Sequence, residues 1–329
     1  MLNDIKPLLY CATVVGCLPH KITGHSFIIT KWGIIYDFIM LIIAIFFCGF
    51  TMNYFLAEYA NPKDKLFVGI RRFIYFLCLI TDGIFSLSFN NQITKALNIL
   101  HAYDVSAKFH KKNHRVVRNF IRALIIIDII YWTIVGYCSY FCAIKYHLFD
   151  AIMHSFYGLT MSIQVFKFCG IMQLVYRRFN HLSQLVLSKV CGLHREWHFL
   201  KLNEVWSLHC NLTTAAEEIN SAYSYQLLIW IVSLSVNGLS RIYILTMNRN
   251  GEIFSKIRDA MFVFACFINL FFIIVSCHLT SQKNNVEAAM YFVVKRLNFT
   301  AAKGFINIHL PLLISIAGAM TTYLVILHN

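Results

Sequence analysis

Residues 305–329 read FINIHLPLLISIAGAMTTYLVILHN and hold no Asp, Glu, Lys or Arg. At about 1.5 Å per residue, a helix of this length crosses a hydrocarbon core of roughly 30 Å. Ser315, Ala317, Gly318, Ala319, Thr321 and Thr322 crowd its middle, and small residues let helices approach closely in a membrane. The pattern predicts a transmembrane helix over 305–327 that serves as an assembly contact or a pore wall. Polar His328 and Asn329 are expected at the membrane surface.

The rest of the chain has the same character. It is 58% hydrophobic and 13% charged, where soluble domains carry about 25% charged residues. We therefore read an all-α integral membrane protein, a single domain over 1–329, multi-pass and in contact with lipid. Apolar runs predict six more spans, over 33–56, 66–89, 120–142, 151–176, 223–247 and 257–279. Residues 1–32 form a short amphiphilic segment without a cleavable leader, so the first span is expected to direct insertion. Between spans, the stretch from Lys95 to Arg122 reads as a basic loop. In 177–222 the apolar residues Leu182, Leu185, Val186, Val190 and Leu193 recur at helical spacing, predicting helical extensions that stand out of the membrane. Residues 280–303 are amphipathic, with Tyr291, Phe292 and Val293 set against Lys283, Lys295 and Arg296.

A net charge of +14 would suggest nucleic acid in a soluble protein. Here the basic residues sort by membrane side. Segments on the N-terminal side hold 19 Lys and Arg against 8 on the other. The positive-inside rule then places the N-terminus in the cytoplasm and, after seven crossings, the C-terminus outside. That is the reverse of a G-protein-coupled receptor, and no nucleic-acid partner is expected. The sequons Asn211-Leu212-Thr213 and Asn298-Phe299-Thr300 then fall in the cytoplasm and are expected to stay unmodified.

Catalysis finds no foothold. The sequence has no Gly-rich phosphate loop, no paired carboxylates at a useful spacing and no Ser/His/Asp set, so neither an enzyme nor a cofactor is expected. Eleven cysteines without a CxxC pair read as small buried hydrophobes. His194 and His198 lie one turn apart in a polar run that lacks the HExxH order, a solvated helix face and not a metal site.

Three ionisable residues lie at similar depth inside spans: Asp82, Asp128 and Lys167. An unpaired charge at mid-span costs at least about 2.5 kcal/mol, so Lys167 is expected to neutralise one of the aspartates and fix the packing. In the outer halves of the spans Tyr75, Trp132, Tyr137 and Tyr157, with polar Gln164 and Asn237 among them, have the make-up of a small-molecule pocket. An interfacial aromatic belt accounts for the same residues taken one by one.

The run Thr322-Tyr323-Leu324-Val325-Ile326-Leu327, led in by Phe299-Thr300-Ala301, Gly304-Phe305 and the stretch Leu312 to Ala319, resembles the signature that closes the last helix of insect gustatory receptors. That signature is threonine-tyrosine, an apolar run, then glutamine-phenylalanine. Asn329 falls on the glutamine, and the phenylalanine is missing. The resemblance implies a tastant-gated, non-selective cation channel in the plasma membrane of sensory neurons, taking a sugar or a bitter compound. It implies a homo- or hetero-tetramer whose last helices line the pore, that helix being split into a cytoplasmic half over 280–303 and a membrane half. Ile326 and Asn329 would form the outer constriction, with Thr322 one turn below. A non-conducting or accessory subunit of the same kind, and a seven-helix G-protein-coupled receptor, are the alternatives.

Overall fold

The computed structural model of the chain describes residues 5–16, 20–23, 26–58, 62–109, 114–142, 147–190, 202–247, 253–290, 297–304 and 306–328. The short helix α1 (Lys6–Val14) is followed by an antiparallel hairpin, β1 (His20–Thr23) with β2 (Ser26–Ile29), in register His20 to Ile29. Then come α2 (Lys31–Glu58), α3 (Pro62–Ser88), α4 (Asn90–Ser106), α5 (His114–Cys142), α6 (His147–Val190), α7 (Leu202–Met247) and α8 (Ile253–Met290). A two-stranded turn, β3 (Thr300–Ala301) with β4 (Ile306–Asn307), leads into α9 (Leu310–His328).

Lengths and composition explain how these helices are used. Among the described residues, Val116–Cys142, Ala151–Val186, Glu204–Thr246 and Ile253–Asn284 are each long and apolar enough to cross a membrane. Helix α9, with 19 residues, measures about 28 Å and so matches a hydrocarbon core of roughly 30 Å. Helices α6, α7 and α8 have 44, 46 and 38 residues. At 1.5 Å per residue they reach roughly 57–69 Å, about twice what the core needs, and must project beyond it. The projecting parts of α6 and α7 pack through Leu182, Leu212, Ala215 and Ile219, all buried. The polar stretch 177–222 is therefore helical wherever it is described, a continuation of α6 and the beginning of α7.

Two regions differ from the sequence reading. The stretch from Lys95 to Arg122 is not a loop: α4 fills its first part and the first turns of α5 its last. Ile93, Ala96, Leu97, Leu100, Tyr103 and Ala107 recur at three- and four-residue spacing and are all buried, which gives α4 an apolar stripe that packs on α7. The helix turns by 59° from α3 across Ser88 to Asn91. Its charges hold it in place from outside: Lys95 Nζ reaches Glu218 Oε1 at 2.5 Å, and Arg178 Nε and Nη2 grip Asp104 at 2.8 and 2.7 Å.

The amphipathic half-helix expected over 280–303 is the second. Its described start, to Met290, continues α8, while Leu297–Gly304 is extended and then turns. Ala302, Lys303 and Gly304 have φ of 49°, 52° and 109°, left-handed values at which a right-handed helix cannot continue. The turn is tied to α7, because Lys303 N–H donates to Ser224 Oγ at 2.6 Å and Thr300 N–H to Asn220 Oδ1 at 3.1 Å. Helix α9 thus starts from a fixed point. Its Leu312, Leu313 and Ile316 pack against the core and Met320 is buried, while Ser315, Gly318, Ala319 and Thr322 on the other side are exposed.

Candidate functional site

Trp132 is the partition of the site. It lies on α5, buried, and its indole N–H is shared between Asp128 Oδ1 one turn earlier at 3.0 Å and Ser162 Oγ on α6 at 3.1 Å. That double anchor fixes the ring edge-on to Phe262 of α8, with centroids 5.2 Å apart. Gly158 makes room for it, since a Cβ there would stand 2.1 Å from the indole ring. On either side of the indole is a cavity, and Trp132, Ala265 and Asn269 line both.

The inner chamber, of about 20 Å³, is bounded by Tyr75, Trp132, Tyr157, Asn237, Phe262 and Cys266 among others, so α3, α5, α6, α7 and α8 all contribute. It has room for about one water molecule. The Tyr75 and Tyr157 rings meet at a tilt of 39°, with centroids 3.8 Å apart. Asn237 spends its amide on the Ser233 carbonyl at 2.7 Å and leaves Oδ1 without a partner among the described residues. The outer cleft is larger, about 200 Å³, between α5, α6 and α8. Most of its wall is aliphatic or aromatic, with Ile127, Phe166, Phe264 and Phe272 prominent, and its polar groups are Asp128, Ser162, Asn269 and the Tyr131 hydroxyl, which is bonded to the Met261 carbonyl.

Four of the six residues expected to form a pocket, Tyr75, Trp132, Tyr157 and Asn237, therefore share the inner chamber. Tyr137 does not. It is 59% exposed and packs on Phe141 and Phe254, because five residues along a helix turn it about 140° from Trp132. Gln164 is fully buried with neither amide atom hydrogen-bonded among the described residues, and it lines neither cavity. Asn269 was missed in the sequence. Its signal is a lone amide within the apolar run Cys266-Phe267-Ile268-Asn269-Leu270-Phe271.

The three intramembrane charges part company. Asp82 accepts Gln226 Nε2 at 2.6 Å and Trp230 Nε1 at 2.9 Å, both from α7. Lys167 acts on Asp82 through space and also on Asp37 of α2, which is buried and which the sequence reading did not group with it. The lysine also lies 5.9 Å from the Tyr223 ring centroid. Asp128 belongs to the Trp132 arrangement instead. A further buried ion cluster occurs where α7 and α8 meet: Asp259 takes both Arg241 and Arg258, and the Arg241 guanidinium lies 4.0 Å over the Phe262 ring.

On α9, Thr322 is exposed and returns its hydroxyl to the Gly318 carbonyl at 3.0 Å, and Tyr323 beside it is exposed too. The Ile326 side chain and Asn329 lie outside the described residues, as do His194 and His198.

Comparison with known proteins agrees with this architecture. The family model described as 7tm chemosensory receptor matches residues 5–298. The solved structure of the insect olfactory receptor OR5 from Machilis hrabei superposes with a TM-score of 0.72 at 13% identity, covering 98% of this chain and 97% of that one. The structure of the same receptor in complex with eugenol gives 0.69 at 14% identity, with the same coverage. No curated protein sequence matches the chain. The fold is thus that of a multi-pass, all-α chemosensory receptor and not of an enzyme, and the chain belongs to the 7tm chemosensory receptor family.

Proposed function

We propose that this chain is a gustatory receptor: a tastant-gated, non-selective cation channel formed by four subunits, its own copies or related chains, around a pore lined by α9. The observation that carries the reading is the uncovered face of α9, where Ser315, Gly318, Ala319 and Thr322 are exposed in the single chain. One helix cannot enclose a pore, so such a face calls for neighbouring copies. The partitioned cavity around Trp132 supplies a place for a small molecule, and the OR5 complex with eugenol supports binding of a small ligand by this fold. The N-terminus lies in the cytoplasm and the C-terminus outside, in the plasma membrane of sensory neurons. Ligand binding opens the pore by favouring the open state over the closed one, since only a difference in affinity shifts a gate. The resemblance at Thr322-Tyr323 supports a constriction at Ile326 and Asn329.

Whole-cell current is the test, recorded from cells expressing the chain alone under a panel of sugars and bitter compounds. A ligand-evoked cation current is expected, with Ile326→Ala giving altered or constitutive conductance by removing an apolar ring that gates by dewetting. Surface-expressed protein that stays silent, both alone and with related subunits, sinks the channel reading.

A further inference from the structure

Asp128 lines the outer cleft, and one of its buried carboxylate oxygens lacks a hydrogen-bond partner among the described residues. Its Oδ1 accepts the Trp132 indole N–H, the Ser162 hydroxyl also interacts with the carboxylate, Oδ2 has no hydrogen-bond partner among the described residues, and the residue is only 9% exposed. Among the described residues no Lys, Arg or His forms an ion pair with it; Lys167 acts on Asp37 and Asp82 instead. A carboxylate held this way inside a span is costly unless a cation completes it. The same carboxylate lines the 200 Å³ cleft, alongside Ser162 and Asn269, while Trp132, Phe166 and Phe272 form the wall around it. A carboxylate that shares a cleft with aromatic side chains can attract an ammonium group, by direct pairing and by cation–π contact. The remainder of the wall is apolar, and its Ile127 and Phe264 are exposed on the outside of the bundle. A sugar, which needs donors and acceptors on every side, is poorly served there.

We propose that the outer cleft takes a protonated amine with a compact apolar body, its nitrogen on Asp128 Oδ2 and its body between Phe166, Phe264 and Phe272. The assignment rests on the cleft being the ligand site of the receptor, and it narrows the ligand class from any tastant to lipophilic amines.

The test uses the full chain purified in detergent and reads the ligand-induced rise in its thermal unfolding midpoint, which does not depend on conduction. The probes are 2-phenylethylamine, its permanently charged trimethylammonium analogue, and 2-phenylethanol as the neutral isostere. Wild type is expected to bind both cations at least about 10-fold more tightly than the alcohol. Asp128→Asn keeps an acceptor for Trp132 and is expected to erase that preference. If wild type fails to distinguish amine from alcohol, or Asp128→Asn retains the preference, the proposal is overturned. The wild-type comparison stands even where the variant does not fold. Aminolipid headgroups offer the same ammonium. In vesicles of phosphatidylglycerol with and without phosphatidylethanolamine, stabilisation by the aminolipid that needs Asp128, with no response to free amine, overturns the small-ligand assignment. Amine binding through Asp128 without any evoked current would defeat the channel reading and leave this one intact. Currents evoked equally by amine and alcohol would do the reverse.

Discussion

Gly158→Ala tests whether the Trp132 partition is as tightly constrained as its geometry says. The added Cβ would stand 2.1 Å from indole Cε3 and Cζ3 and 2.4 Å from Cη2, where carbon atoms need about 3.5 Å. The backbone of α6 cannot yield easily, since Ser155, one turn before, donates its hydroxyl to the Trp132 carbonyl at 2.9 Å. The ring must therefore shift by roughly 1 Å or more, away from Asp128 and Ser162, which hold its N–H at 3.0 and 3.1 Å. Overpacking of this kind costs about 1–3 kcal/mol, and loosening a hydrogen bond to a carboxylate about 1.5–3 kcal/mol. A total of roughly 2.5–6 kcal/mol is expected on these two counts, together with loss of ligand binding. Thermal unfolding of the purified chain, followed by helical circular dichroism, measures the first, and the ligand-induced shift the second. Trp132→Phe removes the clashing atoms, so the double variant should cost less than the two singles added, by at least about 1 kcal/mol. Strict additivity, or a Gly158→Ala cost under about 1 kcal/mol, would refute the reasoning.

Two other predictions concern the ends of the bundle. Arg178 is buried and holds Asp104 through two nitrogens, so Arg178→Met leaves an uncompensated carboxylate and should destabilise by about 3–5 kcal/mol. Arg178→Met with Asp104→Leu should recover most of that loss in the same thermal assay, whereas a double variant no better than the single would show that the pair does not act as a unit. A Cβ added at Gly318 would meet nothing within 4 Å in the single chain, so Gly318→Leu should alter monomer stability by less than about 0.5 kcal/mol while disrupting assembly. Size-exclusion chromatography with light scattering reads the oligomer, and an oligomer unchanged from wild type would count against α9 as an inter-subunit surface.

The long apolar spans were legible because lipid imposes a single condition, apolar side chains all round, that composition reports directly. The fate of α4 shows where that rule gives out. Seven basic residues between Lys95 and Arg122 drew attention to charge, yet the stripe from Ile93 to Ala107 carried the usual helical period beneath them. A helix outside the membrane keeps one polar face, so a hydropathy criterion suited to spans passes over it. The turn before α9 was illegible for a different reason. Nothing in the residue types of Ala302 and Lys303 announces a positive φ. The turn is imposed by tertiary bonds to Asn220 and Ser224, which lie some 80 residues earlier in the chain.

The intramembrane charges show why depth alone could not assign partners. Counting residues along a helix fixes how far a side chain lies into the bilayer, but its direction depends on rotation about the axis, at about 100° per residue. Depth alone places Asp82, Asp128 and Lys167 in one group. Their faces do not: Asp82 turns to Gln226 and Trp230 on α7, and Asp128 to the cleft between α5, α6 and α8. A local clue to the second was present in the order Asp128-x-x-x-Trp132, since residues four apart share a helix face and an indole N–H one turn later can satisfy just one carboxylate oxygen. Such a carboxylate keeps its second oxygen for another partner. The cleft beside it is lined by aromatic rings and contains no cation among the described residues, which is the setting in which the proposed protonated amine would complete the carboxylate.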